Sequence, residues 1–118
     1  MPVTSNDKYA RKALEMLCDL LPTSEYELKS YESPEGKIEL RKIEGRRKVV
    51  FAWKSYRVNT LATRSELAPH LKKWFDFEPT HNKPEYHFQY FTDAHELVKL
   101  MERSGQEIAN ALIAADTI

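Results

Sequence analysis

The chain has 118 residues, 42% apolar and 31% charged, with three glycines and six prolines; this is the profile of one folded domain spanning residues 1–118, and it excludes a disordered or fibrous chain. Its 18 basic and 18 acidic residues cancel, so the high isoelectric point typical of nucleic-acid binders is missing, and the single cysteine, Cys18, excludes an internal disulfide. No apolar run approaches the ~18 residues of a membrane span, and residues 1–7 lack the pattern of a secretory leader, so no membrane partner is expected and the expected address is cytoplasmic.

Residues 6–21 predict an amphipathic helix: Ala10, Ala13, Leu14, Leu17, Cys18 and Leu21 recur at spacings of three and four, with Lys8, Arg11, Lys12, Glu15 and Asp19 on the other side. Pro22 ends it. Cys18 lies in the apolar stripe and reads as a small buried hydrophobe, not a reactive thiol. From Ser24 the period changes to two, with breaks at Ser33-Pro34-Glu35-Gly36 and Glu44-Gly45, where glycine supplies positive φ. Three antiparallel strands are predicted, at 25–32, 37–44 and 47–59. In the third, Val49, Phe51 and Trp53 are expected on one side, and Val50, Ala52, Lys54, Tyr56 and Val58 on the other.

A second helix is predicted to begin near Ser65 or Pro69 and end at Phe75, with Leu67, Leu71, Trp74 and Phe75 on its apolar side. Residues 78–84 read as a loop, and 85–91 as a fourth strand alternating Tyr86, Phe88 and Tyr90 with His87, Gln89 and Phe91. Thr92 is a good N-cap for a last helix starting at Asp93. Its stripe of Leu97, Val98, Met101, Ile108, Leu112 and Ile113 passes Ser104-Gly105, a pair expected to kink or interrupt it. The predicted fold is α+β in the order α-β-β-β-α-β-α, a four-stranded, mainly antiparallel sheet packed against helices.

Charge is unevenly spread along this order. Residues 37–73 hold 11 basic and 3 acidic groups, a net +8, against −3 before them and −5 after. Lys37, Arg41, Lys42, Arg46, Arg47, Lys48, Lys54, Arg57 and Arg64 fall on adjacent predicted strands and their turns. A cluster of this kind attracts phosphates, and Tyr56 offers a ring for stacking on bases. The sequence therefore favours a non-enzymatic binding or regulatory domain contacting a nucleic-acid backbone through a basic β-hairpin, with Arg46, Arg47, Lys48, Lys54 and Arg57 on phosphates and Tyr56 stacking. The competing reading is a solvated hairpin in which Glu39 and Glu44 pair with the cations.

Two other functions are open. Trp74, Phe75, Phe77, Tyr86, Phe88, Tyr90 and Phe91 place seven of 13 aromatic residues within 18 positions, which suits a protein-interaction surface or a homodimer as well as a core. Glu27-Leu28-Lys29 is similar to the Glu-x-Lys half of a metal-dependent nuclease site. His70, His81, His87 and His95 match no metal-ligand spacing, and no glycine-rich phosphate loop or nucleophile motif is present. The expectation is no catalytic set, no metal and no cofactor.

Overall fold

The computed structural model describes residues 5–31, 37–45, 48–55 and 58–116. Helix α1 covers Ser5–Asp19. Its stripe residues Ala10, Ala13, Leu14 and Leu17 are fully buried while Lys8, Arg11, Lys12 and Glu15 are exposed, as a 3.6-residue period requires. Strands β1 (Tyr26–Tyr31), β2 (Lys37–Lys42) and β3 (Val49–Lys54) form the expected antiparallel meander. Gly45 lies between β2 and β3 at φ 121°, a region that a side chain disfavours. The turn at 32–36, with Gly36, is outside the described residues.

The single strand expected at 47–59 is in fact two. β3 ends at Lys54, and β4 (Thr60–Arg64) returns antiparallel to it. The intervening sequence 55–59 contains no glycine or proline, the residues that punctuate a turn, which is why the run reads as continuous. The second helix shrinks to one 3-10 turn, Ala68–Leu71, with Pro69 at its start. So short a segment cannot offset the cost of helix nucleation, and Leu67, Leu71 and Phe75 are buried without a longer helix to carry them. Within the expected loop, β5 (Glu78–Pro79) pairs with β6 (Tyr86–Tyr90), which pairs with β4. The result is a six-stranded antiparallel sheet in the order β1-β2-β3-β4-β6-β5, not a four-stranded one. Pro79 is tolerated because β5 is an edge, where a missing amide donor costs nothing.

Alternation divides the sheet into two faces. Tyr26, Ile38, Leu40, Phe51, Trp53 and Leu61 join α1 and helix α2 (His95–Asp116) in the hydrophobic core. Ala52 and Ala62 are buried but stand apart from that core, on the opposite face. A bulge falls between Leu40 and Arg41, so that Leu40 faces Phe51 but Arg41 faces Val49. Val50 is the extra residue and goes into the core, which reverses the sides expected for Val49 and Val50. Its carbonyl is satisfied by the buried Thr63 hydroxyl, which donates to it at 2.8 Å.

The two helices lie side by side and run in the same direction. Near their starts Asn6 Oδ1 accepts the Ala94 N–H at 3.0 Å, and beyond the end of α1 Leu20 lies over Gly105. α2 passes Ser104 and Gly105 uninterrupted, contrary to expectation. Gly105 serves close packing: a Cβ there would lie 3.1 Å from Leu20 Cδ1. Leu20 is 39% exposed, so its side-chain end can move aside, whereas glycine costs a helix interior about 1 kcal/mol relative to alanine. Gly105→Ala is therefore expected to raise the thermal midpoint by a few degrees; a lower midpoint would mean that the Leu20 contact is rigid. Among the described residues no helix is long and apolar enough to cross a membrane.

Candidate functional site

With both helices on one side, the other side of the sheet is open among the described residues, and the registers order its side chains into rows. The middle row runs Lys29, Glu39, Ala52, Ala62, Phe88 and Glu78 across all six strands. A second row runs Lys54, Thr60, Tyr90, and Arg64 faces Tyr86 in a third. Ala52 and Ala62 are the only small residues of the middle row, so the face sinks at β3 and β4 between taller walls. The result is a groove of about 500 Å³. Lys37, Glu39 and Lys54 form one wall, Tyr86, Phe88 and Tyr90 the other, and Thr80, Asn82 and Lys83 bound it from the loop before β6. That loop is held by the Lys83 N–H donating to Thr80 Oγ1 at 3.3 Å and the Tyr86 N–H donating to the Lys83 carbonyl at 3.1 Å.

The charges within this wall differ in availability. Glu39 is buried and paired with Lys37 at 3.1 Å and Arg41 at 3.8 Å, so these two cations are engaged within the sheet, as the solvated-hairpin reading anticipated for Glu39. Arg64 is buried as well. Lys54 and Lys83 make no ion pair among the described residues, and both line the groove.

Of the residues expected to touch phosphate, Lys54 is half-buried in the groove wall. Lys48 precedes β3, half-buried, its carbonyl accepting the Lys42 N–H at 2.6 Å; it is not part of the groove lining. Arg46, Arg47, Arg57 and the expected stacking residue Tyr56 lie outside the described residues. The basic segment does not all share one face: Lys42 lies on the helix side, its ammonium 5.9 Å from the centre of the Tyr26 ring.

The aromatic stretch 74–91 is likewise divided. Phe75 is buried, and Trp74, Phe77 and Phe91 pack against the core, where Phe75 and Phe77 stack at 4.9 Å and Phe91 meets Trp53 at 6.3 Å. Tyr86, Phe88 and Tyr90 instead line the groove, and Tyr90 is 70% exposed. β6 is interior to the sheet, flanked by β4 and β5, so it is not an edge that could add a strand from a partner. Sequence reasoning missed these three rings as companions of the lysines; their alternation was visible, but not that β4 would bring β6 beside β3.

The remaining candidates are dispersed. Glu27 and Lys29 lie on the edge strand β1, facing Arg41 and Glu39. His70 and His81 are exposed, His87 lies on the helix side opposite Thr63, and His95 opens α2 with its ring 4.9 Å from Tyr9. Among the described residues no three His, Cys, Asp or Glu side chains come together as metal ligands. Cys18 is partly buried against the core. Burial, reinforced by the nearby charges of Asp19, Glu15 and Glu27, pushes its thiol above the ordinary value, which disfavours the nucleophilic thiolate. Protein-family models, curated proteins and solved structures offer no match to this chain.

Proposed function

We propose that this protein is a binding module whose open sheet face takes a single-stranded nucleic acid. One observation carries the reading: Lys54 and a file of three aromatic rings line opposite walls of one groove, with Lys83 at its rim, and among the described residues neither lysine is ion-paired and no helix lines the groove. Phosphates seek the first and exposed bases the second, since stacking on aromatic rings is tolerant of sequence while cations track the backbone. Lys54 and Lys83 are the phosphate contacts, and Tyr86, Phe88 and Tyr90 the stacking groups. Arg46, Arg47 and Arg57, in the sequence segments flanking β3, carry further positive charge, in keeping with the net +8 of the middle third.

The test is binding of labelled oligonucleotides at about 50 and 200 mM salt. With two or three neutralised phosphates, affinity is expected to fall roughly 7- to 20-fold over that range. Lys54→Glu should weaken binding and flatten the salt dependence, and Tyr90→Ala should weaken it with the salt slope unchanged. An Arg46→Glu/Arg47→Glu variant should also lose affinity. Absence of binding at the lower salt overturns the reading. Self-association that Tyr90→Ala abolishes, without oligonucleotide binding, would assign the face to a protein contact instead.

A further inference from the structure

The three rings of the groove stand in single file along one strand. Tyr86, Phe88 and Tyr90 occupy alternate positions of β6, so their Cα atoms step by about 6.8 Å, twice the rise per residue. A single strand with its bases splayed apart has a matching step, about twice the ~3.4 Å per nucleotide of a duplex strand. The file is bounded at both ends. After Tyr90 the next ring, Phe91, turns into the core against Trp53. Before Tyr86 the strand has not yet begun, and residues 78–85 supply no Phe, Tyr or Trp ring.

The rows behind the rings differ in a way that suits nucleotides laid side by side. Behind Tyr90 come Thr60 and then Lys54, two strand spacings or about 10 Å away, a distance a nucleotide spans from stacked base to phosphate once the lysine reaches out. Behind Phe88 come Ala62 and Ala52, whose small side chains leave depth for a base.

Building on the nucleic-acid reading above, we infer that the groove is a three-nucleotide site: a splayed single strand runs along β6 with one base on each of Tyr86, Phe88 and Tyr90, and the phosphate at the Tyr90 end meets Lys54. Each base contributes separately, so affinity depends on length up to three and little beyond.

The experiment uses the full chain and oligothymidylates of one to eight nucleotides at about 50 mM salt, read by competition against a labelled octamer. The expected result is a gain of about 5-fold or more per nucleotide through the third, then a shallow rise. In an octamer with three adjacent thymidines and abasic sites at the other five positions, affinity should stay within about 6-fold of the intact octamer, which offers six registers of three against one, and a further abasic site inside the triplet should cost at least about 5-fold more. Tyr90→Ala, at a position exposed enough to spare the fold, should end the steep gain at two nucleotides. Affinity that climbs evenly through all eight lengths, or saturates at one, overturns the three-nucleotide site while leaving the nucleic-acid reading intact; failure of the octamer itself to bind overturns both.

Discussion

Phe51→Ala is expected to cost about 3–5 kcal/mol of folding free energy, the range for removing a large ring from a packed interior. Phe51 is fully buried at the centre of the sheet's helix side, and its ring lies 5.5 Å from Phe75 and 6.1 Å from Phe77. It therefore ties β3 to the segment between the 3-10 turn and β5. Truncation leaves a cavity in which those two rings keep each other but lose their contact with the sheet. A domain of this size has about 5–15 kcal/mol to lose, so the midpoint of urea unfolding should drop by a large fraction with little change in slope. Phe51→Leu, which keeps part of the volume, should lose less. Equal stability of wild type and Phe51→Ala would show that the Phe75 and Phe77 side of the core collapses freely into the space. Tyr90→Ala, on the open face, should change stability by less than about 0.5 kcal/mol, so an effect of that substitution on binding would not be an effect on folding.

Asp7→Ala should destabilise by about 1–3 kcal/mol, because it strands a buried donor. The Trp53 indole Nε1–H donates to Asp7 Oδ1 at 2.9 Å in the interior, and Asp7 is 6% exposed. The bond pins the first turn of α1 to the middle of the sheet, and the carboxylate also lies at the helix start, where negative charge complements the backbone dipole. Asp7→Asn retains an acceptor oxygen and should lose less than Asp7→Ala. A double-mutant cycle with Trp53→Phe isolates the bond: losses that simply add, within about 0.5 kcal/mol, would mean that the pair contributes nothing beyond its packing.

That Asp7–Trp53 bond joins residues 46 positions apart, and nothing in the local sequence around either residue announces it. The same distinction runs through the whole chain. The stripe of α1, the stripe of α2, the hairpin glycine Gly45 and the alternation of Tyr86, Phe88 and Tyr90 were legible because each depends on neighbours within a few residues: the 3.6 and 2.0 periods and the steric allowance for positive φ are local properties. The candidate site was legible in fragments. Lys54 and the aromatic file were each visible, but as two competing sites.

What the tertiary structure decided is how these pieces meet. One apparent strand is divided into β3 and β4, with no glycine or proline in the five residues between them to announce it. A bulge opposite Leu40 and Arg41 exchanged the sides of Val49 and Val50, and a slip of one residue changes the face of every side chain beyond it. β6 returned beside β4 after a 21-residue excursion, and Pro79 closed the edge. Strand order and register are set by which long-range pairings bury the most apolar surface while satisfying the backbone, a property of the whole sheet and of no single segment. For this protein the sequence alone determined the two long helices, the first hairpin strands and the aromatic alternation of β6, and pairing across the sheet determined that Lys54 shares one groove with Tyr86, Phe88 and Tyr90.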